Sequence, residues 1–379
     1  MEKRYLFTPG PTPVPPPVLA ALAEPVLHHR GPDFRLVYSR CLERLKAVCR
    51  TEREVLLFTS SGTGLMESAV ANLVSPGDRV LVVSAGYFGE RWTDLAHAYG
   101  ADVDELAYAW GEAPGAADLA ARLDGHDVVF LTHSETSTGV VADLQALAAA
   151  AKDSGALVAV DAVSSLGAVP LETDAWGLDV VVSGSQKALM TPPGLALVTV
   201  SERAWAKRGA APRFYFDWER TRAAQEQLDA AFTPATSLVV ALDVALGLLL
   251  EEGLQAAFER HVRLGRACRA GVRAMGLELF SPDDDSANVV TAIRAPEGID
   301  SGELVLALRD RFGITLAPGQ GPLKGKIFRI GHIGWFDVFD ITTALAALEL
   351  ALTEARAEIE LGVAVTAALD AFERPLTVA

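Results

Sequence analysis

The sequence has few cysteines, an excess of acidic over basic residues and no long apolar segment. Three of its 379 residues are cysteine (Cys41, Cys49 and Cys268), and no two of them form a CxxC pair. This odd and sparse set argues against a disulfide framework and favours the reducing cytoplasm. The 49 acidic residues outnumber 33 Lys and Arg, for a net charge of −16. That balance disfavours nucleic acids and anionic membranes as partners.

Membrane and leader segments are not indicated either. The apolar stretch ALDVALGLLLEEGL at 241–254 is too short to span a bilayer. The opening residues meet prolines at once and contain no apolar core of a signal peptide. Because 50% of the residues are hydrophobic, the chain can still bury a large core. We expect a soluble intracellular protein, with a length that allows two domains.

Several catalytic motifs are also missing. The sequence contains no GxSxG, no GxxxxGK[ST] and no HExxH. Its turn SSGTG at 60–64 does not continue as GxGxxG, and the next apolar run ends in Ser84 rather than in an acid. These absences disfavour a serine hydrolase of the α/β type, a nucleoside triphosphate loop, a zinc protease and a Rossmann dinucleotide site.

What the chain does contain is an alternation of short apolar runs and helical patterns. The runs lie at 54–59, 79–84, 127–133, 156–162, 179–185 and 194–201. Continuous Val, Leu and Ile runs separated by helices predict an α/β fold with a mostly parallel sheet covered on both faces. The last two runs are linked too closely for a helical crossover, so we expect one antiparallel strand.

The rhythm changes after a long helical stretch near 237–275. The later patterns, among them NVVTAIRA at 288–295 and KIFRIGHIG at 326–334, predict a smaller α+β domain. The proline-rich opening predicts an extended arm. We therefore divide the chain into an arm at 1–17, a large domain at 18–255 and a small C-terminal domain at 256–379.

Polar residues follow the predicted strands at the ends where open α/β sheets bind ligands. They comprise 60–64 (SSGTG), 134–136 (SET), Asp161 and 185–187 (SQK). Backbone N–H groups at the start of a helix can hold a phosphate, although SSGTG could equally be an N-cap and a turn. Asp161 could be a helix cap or a paired charge, or it could hold a protonated ring nitrogen. Lys187 follows a buried run, where a charged amine is costly.

One ligand would satisfy these groups together. Pyridoxal phosphate carries a phosphate, a basic ring nitrogen and an aldehyde that condenses with a lysine amine. Condensation would also remove the ammonium charge of Lys187. The convergence of three such groups on one sheet edge predicts a pyridoxal phosphate site, and it carries more weight than any single residue.

These residues also identify a family. The segments TPGPTPVPPPVLAAL, HSETSTGV, VDAVSSLGAVPLETDAWGLDVVVSGSQKAL and KIFRIGHIG resemble the class V aminotransferases over nearly the whole chain. Within that family the likeness is to the alanine–glyoxylate and serine–pyruvate or serine–glyoxylate branch. The resemblance implies the pyridoxal phosphate fold type I, with a large domain on a mixed, mainly parallel seven-stranded sheet and a smaller C-terminal domain. It also implies a homodimer with both sites at the interface.

The resemblance assigns cofactor roles to individual residues. Lys187 would hold the cofactor and move the substrate's proton, and Asp161 would pair with the pyridine nitrogen. The other implied roles are phosphate binding by Ser61, Gly62, Thr63 and Gln186, a contact near the ring hydroxyl by Thr136, and stacking on the two ring faces by Phe88 and Val163.

The resemblance also implies substrate and interface roles. Arg329 would grip the substrate carboxylate with its planar fork, and the backbone around Gly10 would close over the substrate. Thr233 would reach the phosphate of the neighbouring subunit. A tyrosine that commonly precedes this threonine in the family is missing, since 229–232 read Asp-Ala-Ala-Phe. The phosphate contact at this position is therefore open.

The implied reaction is a ping-pong transamination from a small amino acid, such as alanine or serine, to glyoxylate or pyruvate. Other class V reactions stay open, including transaminases of aminoethylphosphonate, phosphoserine or purine breakdown products. A lyase or desulfurase would need a nucleophilic cysteine on a loop, whereas Cys268 lies in a helical pattern. A non-catalytic partner-binding subunit is a further alternative, and the occupied catalytic positions argue against it.

Overall fold

The computed structural model describes residues 3–152, 154–207, 209–282, 287–355 and 358–376. Its strands are β1 (Tyr5–Leu6), β2 (Val55–Ser60), β3 (Arg79–Ser84), β4 (Asp102–Ala107), β5 (Val128–Thr132), β6 (Ser134–Glu135), β7 (Val140–Val141), β8 (Leu157–Asp161), β9 (Val180–Gly184), β10 (Gly194–Val200), β11 (Val290–Arg294), β12 (Ile314–Thr315), β13 (Ala317–Pro318) and β14 (Ile327–Gly331).

The helices begin with α1 (Pro16–Leu22), α2 (Pro32–Cys49), α3 (Gly62–Leu73), α4 (Tyr87–Ala98), α5 (Ala116–Ala120), α6 (Leu144–Ala151) and α7 (Glu202–Ala206). They continue with α8 (Trp218–Gln225), α9 (Thr236–Glu252), α10 (Leu254–Ala274), α11 (Ser301–Phe312), α12 (Val338–Glu354) and α13 (Val363–Glu373). None of the helices in the described part of the chain combines the length and apolar character needed to cross a membrane.

The central feature is a seven-stranded sheet in the order β2-β10-β9-β8-β5-β3-β4. Strand β10 runs antiparallel to both of its neighbours, β2 and β9, and the other pairs in the sheet are parallel. The predicted mixed, mainly parallel sheet is confirmed, including its one antiparallel strand. The carboxyl ends of β2, β5, β8 and β9 therefore share one edge.

Strand β4 was not predicted. Its sequence, DVDELA, alternates acidic and apolar residues and lacks the continuous apolar character of the other runs. The structure shows why: β4 is the last strand of the sheet and pairs with β3 alone. Its side chains are exposed or half-buried, so it needs little apolar surface.

Residues 16–49 contain two helices, α1 and α2, with a non-helical segment between them. Two predictions need correction. The stretch at 237–275 is broken at Gly253, whose φ of 86° interrupts a right-handed helix. Helix α1 begins at Pro16, so the last residues of the predicted arm are already helical, with proline at the first position where its missing N–H costs nothing.

Buried apolar residues form separate cores. Two clusters cover the two faces of the large sheet, one containing Leu57 and Val160 and the other containing Phe58 and Val182. A further cluster joins β14 and α12 to the last three turns of α10 and to Phe7. Strand β1 pairs with β12 and Phe7 is buried in this cluster, so the start of the N-terminal arm packs with the C-terminal core. Further along the arm, Thr12 donates hydrogen bonds to the carbonyls of Gln186 and Lys187 in the large domain. We propose the domain boundary inside α10, slightly beyond 255.

Candidate active site

The carboxyl edge of the sheet opens into a cavity of about 240 Å³. Nine of the predicted site residues line it: Gly10, Ser61, Gly62, Thr63, Phe88, Asp161, Val163, Gln186 and Lys187. They come from the arm, from the β2–α3 turn, from the start of α4 and from the ends of β8 and β9. The topology therefore brings together segments that are up to 177 residues apart in the chain, as the distance in sequence from Gly10 to Lys187 shows.

Lys187 follows β9 and is 8% exposed. Its Nζ donates a hydrogen bond of 2.6 Å to the carbonyl of Pro9, so the arm closes over the amine. Burial lowers the pKa of Lys187 to about 8, the positive charges of Arg329 and Arg91 act in the same direction, and Asp161 opposes the shift. A larger share of this amine is therefore neutral near physiological pH than in an exposed lysine, as a nucleophile requires.

Asp161 is the last residue of β8 and is also buried. Burial raises its pKa to about 6, while the hydrogen bond that Val163 N donates to Oδ1 at 2.8 Å opposes this. Glu135 raises the pKa further, and Lys187 and Arg91 lower it. A cation placed against this carboxylate would compensate the cost of its burial.

The β2–α3 turn forms the candidate phosphate site. Ser61 is the N-cap of α3, and its hydroxyl accepts a hydrogen bond from Gly64 N at 3.2 Å. Gly62 and Thr63 occupy the first turn, where backbone N–H groups lack helical acceptors. A Cβ on Gly62 would lie 2.6 Å from Val163 Cγ2, so a larger residue there would push Val163 into the cavity.

Polar atoms without a partner support a ligand at this place. Ser134 and Gln186 line the cavity, and their side-chain oxygens, Ser134 Oγ and Gln186 Oε1, are buried without a hydrogen-bond partner within the described residues. Buried polar atoms are normally hydrogen-bonded, so unpaired oxygens on two side chains of the cavity wall favour a polar ligand there. Together with a helix N-terminus, a buried carboxylate and a lysine amine, they fit a phosphorylated pyridine aldehyde.

Phe88 is positioned by Glu135. The Glu135 carboxylate accepts hydrogen bonds from Phe88 N at 2.9 Å and from Gly89 N at 3.0 Å, at the N-terminus of α4. Ser137 holds the other oxygen through its backbone N–H and its hydroxyl. Burial raises the pKa of Glu135, and these four hydrogen bonds oppose it. No role was predicted for Glu135, although it lies inside the HSETSTGV segment.

Arg329 lies beside the cavity rather than in its wall. Its Nη1 donates to Thr136 O at 2.8 Å, and its Nε and Nη2 donate to Pro318 O at 3.3 and 2.8 Å. Burial lowers the pKa of Arg329 to about 10, and Glu135 opposes this. These backbone contacts fix the orientation of the guanidinium. Thr136, predicted near the ring hydroxyl, is buried next to Arg329 and does not line the cavity.

Thr233 lies outside the cavity. It lines a separate shallow depression with Thr59, Tyr215 and Phe232. Within one chain, therefore, the structure does not bring Thr233 together with the other predicted phosphate ligands.

Four cavity residues were not predicted from the sequence: Met66, Arg91, Ser164 and Pro193. Arg91 had a usable signal, because it follows Phe88 by three residues in a helical pattern and therefore shares its helix face. Ser164 follows the predicted site residue Val163. Two further cavity residues, Pro11 and Ser134, stand in segments that were predicted to reach the site, without a role of their own. Met66 and Pro193 carried no chemical signal of their own.

The chain belongs to the class V aminotransferases, whose family model matches residues 4–324. It is a pyridoxal phosphate-dependent aminotransferase with fold type I, of the alanine- or serine-glyoxylate type. The family predicted from the sequence motifs is confirmed, as are the cofactor and the fold.

Two relatives and one solved structure illustrate this membership. The chain is 36% identical to the serine–glyoxylate aminotransferase of Methylorubrum extorquens, over 99% of this chain and 97% of the relative. It is 44% identical to a protein of Synechococcus named soluble hydrogenase, small subunit, over 93% of this chain and 94% of the relative. The crystal structure of ureidoglycine–glyoxylate aminotransferase from Bacillus subtilis superposes with a TM-score of 0.94 at 34% identity, covering 99% of both chains.

Proposed function

We propose that this aminotransferase moves an amino group from a small amino acid, such as alanine or serine, to glyoxylate or pyruvate in a ping-pong reaction. One observation carries the proposal: the Lys187 amine, the Asp161 carboxylate and the first turn of α3 line one cavity at the sheet edge. The serine–glyoxylate and ureidoglycine–glyoxylate aminotransferases described above are among the proteins that the chain resembles, and they support glyoxylate as the acceptor.

Small substrates are favoured by the way the arm covers the lysine. Pro9 accepts the hydrogen bond of Lys187, and a Cβ on Gly10 would contact the Lys187 side chain. The cavity is therefore closed on the side of the arm. Arg329 would bind the carboxylate that all amino acid and 2-oxo acid substrates share, as the bidentate geometry of arginine suits this group.

Different residues of the chain would bind the cofactor and move the proton. Ser61, Gly62, Thr63 and Gln186 would hold the cofactor phosphate, and Phe88 and Val163 would enclose its ring. When bound, pyridoxal phosphate supplies an aldehyde for the amino group and a ring that accepts electrons from the substrate Cα. The negative charge of Asp161 would keep the ring nitrogen protonated, and Lys187 Nζ would move the proton between the substrate Cα and the cofactor carbon C4′.

The homodimer also remains a proposal. Phe214 is 66% exposed, close to the depression that contains Thr233, and Tyr215 stacks on Phe232 with 5.0 Å between ring centroids. Such exposed aromatic residues favour an interface. A second copy packed here would allow its Thr233 to reach the phosphate site. Three buried free cysteines agree with a cytoplasmic location.

The hydrogenase name of the Synechococcus relative is not carried over to this chain. The cavity residues account for an amine-reactive cofactor. In the described residues, no group of three His, Cys, Asp or Glu side chains is placed to hold a metal ion.

A panel of amino donors tests the substrate proposal. Purified protein loaded with pyridoxal phosphate is given alanine, serine, aspartate or glutamate, each with glyoxylate, pyruvate or 2-oxoglutarate, and the products are quantified. We expect the highest kcat/KM for alanine or serine with glyoxylate or pyruvate, and parallel lines in double-reciprocal plots. A preference for 2-oxoglutarate or aspartate would overturn the small-substrate proposal, and intersecting lines would overturn the ping-pong order.

A further inference from the structure

Arg91 is a cationic residue of the cavity wall to which none of the roles above is assigned. It lies on α4, three residues after Phe88. Its Nη1 donates a hydrogen bond of 2.7 Å to Thr63 Oγ1, in the first turn of α3. Its Cζ lies 4.8 Å from the centroid of the Phe88 ring. Arg91 therefore contacts a candidate phosphate ligand and the candidate stacking residue at the same time.

The charge of Arg91 acts on the cavity. Within the part of the chain that the structure describes, Arg91 forms no ion pair with a carboxylate, and its polar and ring contacts are with Thr63 and two aromatic rings. Its positive charge lowers the pKa of both Asp161 and Lys187. The protein has a net charge of −16, so a cation without an acidic partner in the cavity wall creates a local positive potential on an otherwise acidic protein.

The hydrogen bond from Arg91 also determines which role is left to the Thr63 hydroxyl group. Thr63 Oγ1 accepts the N–H of Arg91, which leaves the hydroxyl hydrogen to be donated elsewhere. No acceptor for that hydrogen is found among the described residues. A charged donor polarises the hydroxyl and strengthens the hydrogen bond that it can donate in turn. An anion at the N-terminus of α3 is the acceptor that this arrangement fits.

We propose that Arg91 is a positioning residue that supplies the positive charge of the phosphate site, acting through the Thr63 hydroxyl while it holds the Phe88 ring. The proposal rests on the phosphate role proposed above for Thr63. It predicts that Arg91 matters for ligands that carry a phosphate and much less for the pyridine ring alone.

Cofactor binding with and without the phosphate group tests this prediction. Cofactor-free protein is titrated with pyridoxal phosphate and with pyridoxal, and binding is followed by absorbance and fluorescence. In R91Q we expect the dissociation constant of pyridoxal phosphate to rise about 10- to 100-fold, the range for a hydrogen bond to a charged group. Pyridoxal should change less than about 3-fold, because it lacks the anion. R91K, which keeps the charge, should recover most of the affinity.

The matched control removes a distant charge. R309Q alters an exposed arginine of α11 that pairs with Asp310, and both ligands should bind to it as to the unchanged protein. Equal losses of pyridoxal and pyridoxal phosphate in R91Q would overturn the proposal, since Arg91 would then act only through Phe88. If R91Q does not fold, as judged by circular dichroism, R91M, which also removes the charge, carries the same comparison. A loss confined to pyridoxal phosphate supports the proposal, and an equal loss of both ligands overturns it.

A double-mutant cycle with T63V separates this proposal from the one on which it rests. If Arg91 acts through the Thr63 hydroxyl, the losses in T63V and R91Q do not add in the double variant. Additive losses would overturn the coupling. Unchanged binding in T63V would overturn the phosphate role of the Thr63 hydroxyl, and with it the role of Arg91, whereas weakened binding in T63V with unchanged binding in R91Q would overturn only the role of Arg91.

Discussion

The titration of Lys187 should control how fast the protein captures its cofactor. The neutral amine reacts with the aldehyde and the ammonium form does not. The pKa of Lys187 is lowered from 10.5 to about 8, chiefly by burial. At pH 7, about one amine in ten is then neutral, compared with about one in 3,000 for an exposed lysine. The folded environment therefore raises the reactive fraction roughly 300-fold.

Stopped-flow mixing measures this effect. Cofactor-free protein is mixed with pyridoxal phosphate at a series of pH values, and the near-visible absorbance of the bound cofactor is recorded. The capture rate should rise with pH and level off above the pKa of about 8. A rate that still rises steeply toward pH 10.5, the value of an exposed lysine, would refute the reasoning.

Two substitutions should move the midpoint in opposite directions. The carboxylate of Asp161 raises the pKa of Lys187, whereas the guanidinium of Arg329 lowers it. D161N should therefore shift the midpoint of the capture rate to lower pH, and R329Q should shift it to higher pH. Shifts of the same sign would show that general loosening of the site, rather than charge, governs the amine.

Four further outcomes follow from the contacts. The pKa of Lys187 is about 8 in the folded protein and 10.5 in the unfolded chain, so between these pH values the unfolded chain binds more protons at this residue. In that pH range the free energy of unfolding of cofactor-free protein should therefore rise with pH, relative to that of K187M. G10A should slow cofactor capture in stopped flow without changing the circular dichroism spectrum. At Gly10, where φ is 151°, an added Cβ would lie 2.5 Å from Lys187 Nζ. An unchanged capture rate would show that the arm moves away from the lysine. R329Q should lower kcat/KM for amino acid substrates about 10- to 100-fold, because the charged hydrogen bonds to the substrate carboxylate are lost. Cofactor affinity in the absorbance titration should stay near normal, and a parallel loss of kcat/KM and cofactor affinity would contradict a substrate role. Q225L should lower the free energy of unfolding, measured in urea, by about 2–4 kcal/mol. The Gln225 side chain accepts a hydrogen bond from Leu57 N and donates one to Val55 O along the open edge of β2, and both would be lost. A change under about 0.5 kcal/mol would contradict this role at the sheet edge.

The sequence allowed the sheet and most of the cavity to be predicted for one physical reason. Buried parallel strands need continuous apolar runs, and their carboxyl ends must share an edge, so Asp161 and Lys187 could be placed together before any coordinates. Strand β4 was not predicted because an edge strand needs few apolar residues. Helix breaks such as the one at Gly253 were not predicted because the apolar helical pattern continues across them.

The residues that were missed depend on contacts between distant segments. Arg91 and Thr63 are 28 residues apart, and nothing in either local pattern shows that they touch. Arg329 was placed through the family resemblance, yet its orientation by Thr136, 193 residues away, appears only in the fold. Local patterns therefore predict which elements form, whereas the pairing of polar side chains depends on how those elements pack.

The two buried carboxylates beside the cavity differ in how many of their acceptor positions the chain itself occupies. Glu135 and Asp161 both lie at the ends of strands next to the cavity, and burial raises the pKa of both. The Glu135 carboxylate accepts four hydrogen bonds, from Phe88, Gly89 and twice from Ser137, so its acceptor capacity is used by the chain itself. The Asp161 carboxylate accepts a single one among the described residues, from Val163, and Asp161 lines the cavity. A buried carboxylate with free acceptor positions needs a cationic partner, and a protonated ring nitrogen is the partner that this cavity can admit.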